Sequence, residues 1–272
     1  MNNVETGLFL NRIPYVKSGS GADPIVVFNG GQAFVRRPSH DRASRDAGRI
    51  ARLLPRDRPV YVLGYDPAPP VDYGIETIVR DFSTILREEI GPATVMGISF
   101  GGFVAARLAA EHPALVKELV LMVSAHRFSP EGRSSVARQI EFARRGAFEG
   151  LLAEFGLVFR RPWFNWLLRL RFRMERKRLP EKMNDPDVIV RGLGAVAAEE
   201  FGRSPDWLTR IEAPTLIVGG TRDQFFDVEA MRETARLIPS ARLELFEDET
   251  HMLPVERPRD VARTLAAFLT PG

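Results

Sequence analysis

Short, wholly apolar runs alternate along this chain with segments in which apolar residues recur every three or four positions. A run that is apolar throughout is typical of a strand buried on both faces of a parallel sheet. A spacing of three or four predicts a helix with one buried face. The alternation therefore predicts an α/β fold with a mostly parallel sheet and helices on both of its faces. The predicted strands are 7–10, 13–16, 25–28, 60–63, a segment that leads to Gly97, 119–123, 215–218 and 242–246.

The alternation is interrupted in the middle of the chain. From about residue 126 to residue 207 the pattern is helical, aromatic and rich in arginine, with no convincing strand. We therefore predict a core of residues 1–126 and 208–272 and a helical cap inserted at 127–207. The predicted core helices lie at about 41–54, 75–90, 103–111, 228–238 and 258–269.

Composition limits the classes of function. The chain has 272 residues, 44% of them apolar, a net charge of +3 and no cysteine, so disulfides, thiolate metal sites and a cysteine nucleophile are excluded. No run of 18 apolar residues predicts a membrane span, and the first residues do not resemble a signal peptide. We expect a cytoplasmic protein. No basic patch or module of the kind that binds nucleic acid is apparent, so we expect no nucleic-acid partner.

A serine motif follows the segment that leads to Gly97. Residues Gly97 to Gly101 read G-x-S-x-G around Ser99, and an alanine-rich helical segment follows directly. This strand–serine–helix arrangement is typical of a nucleophile elbow, whose turn is so tight that side chains beside the serine would collide with neighbouring backbone. Ser99 is therefore the candidate nucleophile.

A serine hydroxyl needs a base, and the base needs an orienting acid. His251 lies in a loop between the last predicted strand and the final helix, which makes it the candidate base. His112 fits better as the last residue of a helix. Asp223 follows a buried strand and is the favoured acid, because sites form at the carboxyl ends of such strands. Asp227, just before a helix, fits better as an N-cap, although it stays a rival.

The chain order Ser99, Asp223, His251 is that of the α/β-hydrolase triad. The sequence resembles the capped α/β-hydrolases of the esterase and C–C hydrolase type over almost the whole chain outside the insertion. The features that carry the resemblance are Asn29-Gly30-Gly31 after a strand, the G-x-S-x-G elbow, the segment from Pro214 to Asp223, and the His251 loop with Glu256-Arg257-Pro258.

The resemblance also implies an oxyanion hole. Its two donors would be the backbone N–H groups of Phe100, just after the nucleophile, and of Gly31, with Gln32 as the next candidate. The chain departs from the family at Asn29, where a histidine is usual, and at Thr250, where glycine is usual. The chemistry implied needs no metal and no organic cofactor.

One predicted cap helix has a distinctive pattern after Pro162. Its apolar residues fall on one face and its basic residues on others, which leaves three interpretations open. The helix packs its apolar face on the core, or adds aromatic side chains to an acyl pocket, or turns its basic face to a membrane surface or an anionic group. The candidate pocket residues are Gln32, Trp163, Trp166 and Leu167.

The sequence thus predicts a serine hydrolase that cleaves a small to medium hydrophobic acyl or aryl ester through an acyl-enzyme on Ser99. The same residues would serve a C–C bond hydrolase, a lactonase or an aminopeptidase. A hydrolase-fold protein that binds a small ligand without turnover is a further alternative. The expected partner is a small-molecule substrate, with no stable insertion into a membrane.

Overall fold

The computed structural model describes residues 4–37, 39–156, 158–200 and 205–269. Eight strands form one sheet in the order β1-β2-β4-β3-β5-β6-β7-β8. The hairpin β1–β2 pairs antiparallel with the sheet, and all pairs from β4 to β8 are parallel. The mostly parallel sheet predicted from the sequence is confirmed. The strands are β1 Val4–Phe9, β2 Ile13–Ser18, β3 Ile25–Phe28, β4 Val60–Leu63, β5 Ala93–Ile98, β6 Val116–Met122, β7 Thr215–Gly220 and β8 Ala241–Phe246.

The five helices predicted outside the insertion are present in the predicted order, with differences at their ends, and the short helices at 32–35 and 253–256 were not predicted. The helix predicted at 75–90 ends as an α-helix at Ile85 and continues in one π-helical turn, which is closed by a bond from the Gly91 N–H to the Leu86 carbonyl. The helices are α1 Gln32–Val35, α2 His40–Ala51, α3 Ile75–Ile85, α4 Phe100–Glu111, α5 Pro130–Arg144, α6 Phe148–Gly156, α7 Pro162–Glu175, α8 Leu179–Lys182, α9 Pro186–Glu200, α10 Val228–Leu237, α11 Leu253–Glu256 and α12 Pro258–Leu269.

Both faces of the sheet are covered by apolar side chains. In β3 all four residues are buried, and their side chains alternate between two separate clusters. Val26 and Phe28 join the cluster that includes α3 and α4, whereas Ile25 and Val27 join the cluster that includes α2 and α12. Because strand side chains alternate between faces, these clusters are the two sides of one sheet.

The segment between β6 and β7 holds α5 to α9 and, among its described residues, no strand. It has an apolar cluster of its own, formed by residues of α5, α6, α8 and α9 together with Val35 of α1. The division into a core and a cap stays a prediction, and its segments include residues 1–3, 38, 157, 201–204 and 270–272, which lie outside the described residues.

Candidate active site

Ser99 lies at the turn between β5 and α4, where it is the N-cap residue of the helix. Its backbone has a φ of 53°, a left-handed conformation that is rare for a residue other than glycine. The Ser99 N–H donates to the carbonyl of Met122 in β6 at 2.9 Å, which fastens the turn to the neighbouring strand. Strained backbone of this kind persists only where the surrounding structure holds it.

The glycines of the motif are required by close backbone contacts. A Cβ on Gly97 would collide with the Gly101 carbonyl and lie 2.5 Å from the Cα of Gly102. A Cβ on Gly101 would collide with the carbonyl oxygen of Phe28 at the end of β3. Helix α4 can therefore begin directly behind the serine only because these positions have no side chain.

Ser124 supports the same turn and was not singled out in the sequence. Its hydroxyl donates to the Ser99 carbonyl at 2.8 Å, and it would collide with a Cβ on Gly102. Ser124 lies just after β6, the strand next to β5. Its position beyond the carboxyl end of a neighbouring strand was the sequence signal that could have identified it as a residue near the site.

His251 and Asp223 come together with Ser99. The Nε2 atom of His251 lies 3.0 Å from the Ser99 Oγ, and its Nδ1 atom lies 2.9 Å from Oδ2 and 3.1 Å from Oδ1 of Asp223. The Asp223 side chain is fully buried, and that of His251 is 11% exposed. Ser99 follows β5, Asp223 follows β7 and His251 follows β8. The carboxyl ends of these three strands lie at one edge of the sheet.

The orientation of the Asp223 carboxylate is fixed by the backbone of its own loop. Its Oδ1 atom accepts hydrogen bonds from the N–H groups of Phe225, at 2.8 Å, and Phe226, at 3.0 Å. The rings of both phenylalanines lie against the imidazole of His251, with centroids 4.7 Å and 5.9 Å away. Both partners of the pair are thus held before any substrate arrives, which is the preorganisation that proton transfer in a site requires.

The rival acid and the rival histidine have structural roles elsewhere. The Asp227 side chain accepts from the Ala230 N–H at 2.7 Å, so it is the N-cap of α10, as the sequence predicted. His112 is the C-cap residue of α4, also as predicted.

The loop after β3 lies against the elbow. A Cβ on Gly30 would be 3.4 Å from the Cβ of Ser99, and one on Gly31 would be 3.5 Å from the ring of Phe155 and 3.6 Å from Leu193. Gly31 precedes the first residue of α1, and Phe100 is the first residue of α4. N–H groups at the start of a helix have no acceptor within that helix, so both can donate to a ligand.

Asn29, which replaces the usual histidine, anchors this loop. Its Nδ2 atom donates to the carbonyl of Leu63 at the end of β4, at 3.0 Å, while its own carbonyl accepts from the hydroxyl of Tyr65. Burial raises the pKa of Tyr65 well above its ordinary value, so the hydroxyl stays protonated and can donate. In this chain the loop after β3 is therefore held by these two hydrogen bonds.

The His251 loop is also tied to the segment between β6 and β7. The Glu249 side chain is fully buried, and its Oε1 atom lies 3.3 Å from guanidinium nitrogens of both Arg160 and Arg257. The Arg160 N–H donates to the Glu256 carboxylate at 3.0 Å. The Thr250 hydroxyl donates to the same carboxylate at 3.4 Å. Nothing in the sequence pattern distinguished Arg160 from the many other arginines.

The four candidate pocket residues are not buried as the Asp223 and Glu249 side chains are. Gln32, Trp163, Trp166 and Leu167 are all exposed, and α7 has no buried residue. Their part in a pocket stays a prediction, whereas Phe155 of α6 and Leu193 of α9 lie next to Gly31. Among the described residues, no group of three or more histidine or acidic side chains is arranged to hold a metal ion. No described helix has the length and apolarity needed to cross a membrane.

Known proteins share this sequence pattern and this fold. The sequence profile of the alpha/beta hydrolase fold matches residues 63–258. A Mycobacterium tuberculosis protein that carries the name non-heme bromoperoxidase BpoC is 29% identical over 206 residues, which cover 71% of this chain and 74% of that protein. The sn-1-specific diacylglycerol lipase ABHD11 of Danio rerio is 24% identical over 76% of this chain and 67% of its own. The crystal structure of MGS-M2, an alpha/beta hydrolase enzyme from a deep-sea metagenome library, superposes with a TM-score of 0.78 at 18% identity over 98% of both chains.

Proposed function

Because this chain belongs to the α/β-hydrolase fold family, we propose that it is a serine hydrolase that cleaves carboxylic esters through an acyl-enzyme on Ser99. One observation carries the proposal. The Ser99 hydroxyl, the His251 imidazole and the buried Asp223 carboxylate form a continuous chain of contacts of 3.0 Å and 2.9 Å. A serine with a base in hydrogen-bond reach, and a base oriented by a carboxylate, is the arrangement that nucleophilic acyl transfer needs.

In the first half of the reaction His251 Nε2 takes the proton of the Ser99 hydroxyl while Oγ attacks the ester carbonyl carbon. The carbonyl oxygen becomes an oxyanion, which the N–H groups of Phe100 and Gly31 stabilise. Asp223 stabilises the imidazolium. When the tetrahedral intermediate collapses, the C–O bond to the leaving group breaks, and His251 returns its proton to the departing alkoxide. This leaves the acyl group on Ser99.

In the second half a water molecule replaces the alcohol. His251 takes a proton from the water as its oxygen attacks the acyl carbon, and the same two N–H groups hold the second oxyanion. Collapse releases the carboxylic acid and returns the proton to Ser99 Oγ. A donor lost from such a hole typically costs about 10²–10³ in turnover, so the N–H groups are a large part of the proposed catalysis.

A hydrophobic acyl group is the substrate part that the surroundings favour. Gly31, a proposed oxyanion donor, lies under Phe155 of α6 and Leu193 of α9. An acyl chain that leaves the carbonyl toward these side chains would replace water by apolar contacts. We therefore propose Phe155 and Leu193 as pocket residues in addition to those predicted from the sequence. The lipase named among the relatives acts on a lipid ester, which agrees with this class.

The test is hydrolysis of p-nitrophenyl esters from acetate to palmitate by the wild-type protein, by Ser99→Ala and by Ser134→Ala. Ser134 is an exposed cap serine and serves as the matched control. We expect turnover with Ser134→Ala and a loss of about 10⁶-fold in kcat with Ser99→Ala. The chain length with the highest kcat/KM measures the pocket.

Two outcomes would overturn the proposal. Equal turnover by a folded Ser99→Ala protein would mean that another group is the nucleophile. If a fluorophosphonate labels Ser99 but no ester is turned over, ester hydrolysis is wrong while the nucleophile is right. Lactones and C–C substrates would then separate the other hydrolases from a protein that binds a ligand without turnover.

A further inference from the structure

Helix α7 turns its apolar face outward. A helix on the surface of a folded domain normally buries its apolar stripe and exposes its polar face. In α7 most of the large apolar side chains are exposed instead of buried. The exposed ones are Trp163, Trp166, Leu167, Leu170 and Met174, with exposures of 60%, 66%, 47%, 41% and 77%.

The inner face of α7 is occupied by other residues, which fixes the rotation of the helix about its axis. Phe164 packs edge-on against Phe159 at a centroid distance of 4.6 Å, and Asn165 accepts from the Phe159 N–H at 3.0 Å and donates to its carbonyl at 2.9 Å. Phe172 lies near Gly156 at the end of α6. The helix therefore cannot turn its tryptophans inward without breaking these contacts.

Basic side chains border the exposed apolar stripe on both sides. At 100° per residue, Arg169 and Arg173 fall on one flank of the stripe and Arg171 on the other. All three are exposed, and Arg171 is paired with Glu175 at 3.0 Å. Beyond the helix the run Arg176–Arg178 adds three further exposed basic residues. A potential partner of this face must therefore combine an apolar interior with a negatively charged surface.

We propose that α7 docks on the surface of an anionic lipid bilayer. Such a surface supplies both parts of the complement, because acyl chains lie directly beneath charged headgroups. Interfacial helices have this composition, with tryptophan and leucine on the buried face and arginine beside it. Tryptophan in addition prefers the interface itself, where its ring is half in apolar surroundings. The helix would lie in the plane of the interface and would not span the bilayer.

The start of α7 lies near the loop that carries His251. Arg160, two residues before α7, is the residue that contacts Glu249 and Glu256 on either side of His251. A bilayer in contact with the start of α7 would therefore lie beside the loop that carries His251. The proposal concerns binding alone and does not depend on the proposed esterase activity.

The first test measures binding of the full chain to unilamellar vesicles of phosphatidylglycerol and phosphatidylcholine, with vesicles of phosphatidylcholine alone as the reference. Sedimentation gives the bound fraction. Tryptophan emission reports the site, because two of the three tryptophans lie on this face and Trp207 is partly buried elsewhere. We expect binding to the anionic vesicles at low salt, with a blue shift of the emission, and weaker binding as salt rises.

Two double variants test the two parts of the face. Trp163→Ser with Trp166→Ser removes the apolar anchor, and Arg173→Glu with Arg176→Glu reverses two charges. Each is expected to weaken binding at least about tenfold. The matched control is Arg56→Glu with Arg87→Glu, which changes the net charge equally at exposed positions outside the cap. The control should bind like the wild type at matched salt, and circular dichroism checks that every variant is folded.

Three results would overturn the proposal. The first is no binding to anionic vesicles at low salt by the folded wild-type protein. The second is equal weakening by the control pair, which would make the attraction a property of net charge alone. The third is a dimer in solution that the tryptophan variant converts to a monomer, with no vesicle binding, since the face would then bind a second copy of the chain.

Discussion

The turn at Ser99 and the helix α7 differ in how closely the rest of the chain surrounds them. At Ser99 the backbone of β3 and α4 leaves no room for a side chain on Gly97 or Gly101, and the Ser124 side chain leaves none on Gly102. Helix α7 contributes no buried residue, and its largest apolar side chains face solvent. Reacting groups need fixed positions, whereas a surface that meets a variable partner does not. The proposed chemistry and the proposed docking thus fall in the regions whose packing suits them.

The largest expected effect is on turnover and concerns the enclosed region. Asp223→Asn should retain the fold and lower kcat for a p-nitrophenyl ester about 10⁴-fold, because the amide no longer stabilises the imidazolium and favours the wrong tautomer. Steady-state kinetics measures it. Asp227→Asn is the matched control, since it changes a carboxylate four residues away that caps α10. Equal losses in the two variants would contradict the assignment of the acid.

Two leucines of the segment between β6 and β7 sharpen the contrast in packing. Leu151 of α6 is fully buried in the apolar cluster of that segment, whereas Leu170 of α7 is exposed. Leu151→Ala should lower the free energy of unfolding by about 3–5 kcal/mol, because it leaves a cavity. Leu170→Ala should change it by less than about 0.5 kcal/mol. Urea denaturation measures both. A large loss with Leu170→Ala would mean that α7 is packed on this face in solution.

Two glycines should respond to alanine with opposite signs. Gly101→Ala drives a methyl group into the Phe28 carbonyl and should lower the free energy of unfolding by about 3 kcal/mol, at the upper end of overpacking costs. A Cβ added to Gly194 of α9 would meet no neighbouring atom within 4 Å outside the helix's own backbone, so Gly194→Ala should raise the free energy of unfolding by about 0.5–1 kcal/mol. Thermal unfolding compares the two. A stabilised Gly101→Ala protein would show that the turn has room for a methyl group at this position.

The smallest effect is expected at His126, which lies between β6 and α5. Burial lowers the pKa of His126, with Arg127 acting in the same direction and Glu233 opposing it. The folded state therefore favours the neutral ring. The contribution of the neutral ring to the free energy of unfolding is complete above the ordinary histidine pKa near 6.5. It is lost as the pH falls through the lower pKa that His126 has in the folded protein.

His126→Gln should accordingly reduce the acid-induced loss of stability. The free energy of unfolding, measured in urea at pH 7.5 and pH 5, should fall less between these values in the variant than in the wild type. A glutamine can still pair with the Thr234 hydroxyl, which lies 2.8 Å from His126 Nδ1. If the free energy of unfolding fell by the same amount between pH 7.5 and pH 5 in the variant and the wild type, His126 would not be a source of the pH dependence.

The sequence predicted the enclosed region better than the exposed one, for physical reasons. The bounds of β4 match the predicted strand at 60–63, and Ser99, Asp223 and His251 meet because each follows a strand whose end lies at the same edge. Helix α4 begins at Phe100 and not at 103, since packing overrides the poor helix propensity of two glycines.

The sequence of the segment between β6 and β7 offered no comparable constraint. Periodicity after Pro162 predicted an amphipathic helix, but a period cannot say which face meets solvent, and the face interpreted as packed or as a pocket wall is the exposed one. The anchoring of Asn29 by Leu63 and Tyr65 was equally out of reach, because it depends on contacts 34 and 36 residues apart in sequence. A hydrogen bond between a side chain and a distant backbone carbonyl leaves no local pattern in the sequence.

The separation of Ser99 from His251 has a consequence for the biosynthesis of the protein. The two side chains meet across 152 positions of sequence, and β7 and β8 must join the sheet before they can do so. During translation the elbow and its strand leave the ribosome long before the histidine, since synthesis proceeds at about 5–20 residues per second. A nascent chain can thus carry a complete elbow without a base to activate it. If the proposed activity is correct, hydrolysis would report that β7 and β8 have joined the sheet.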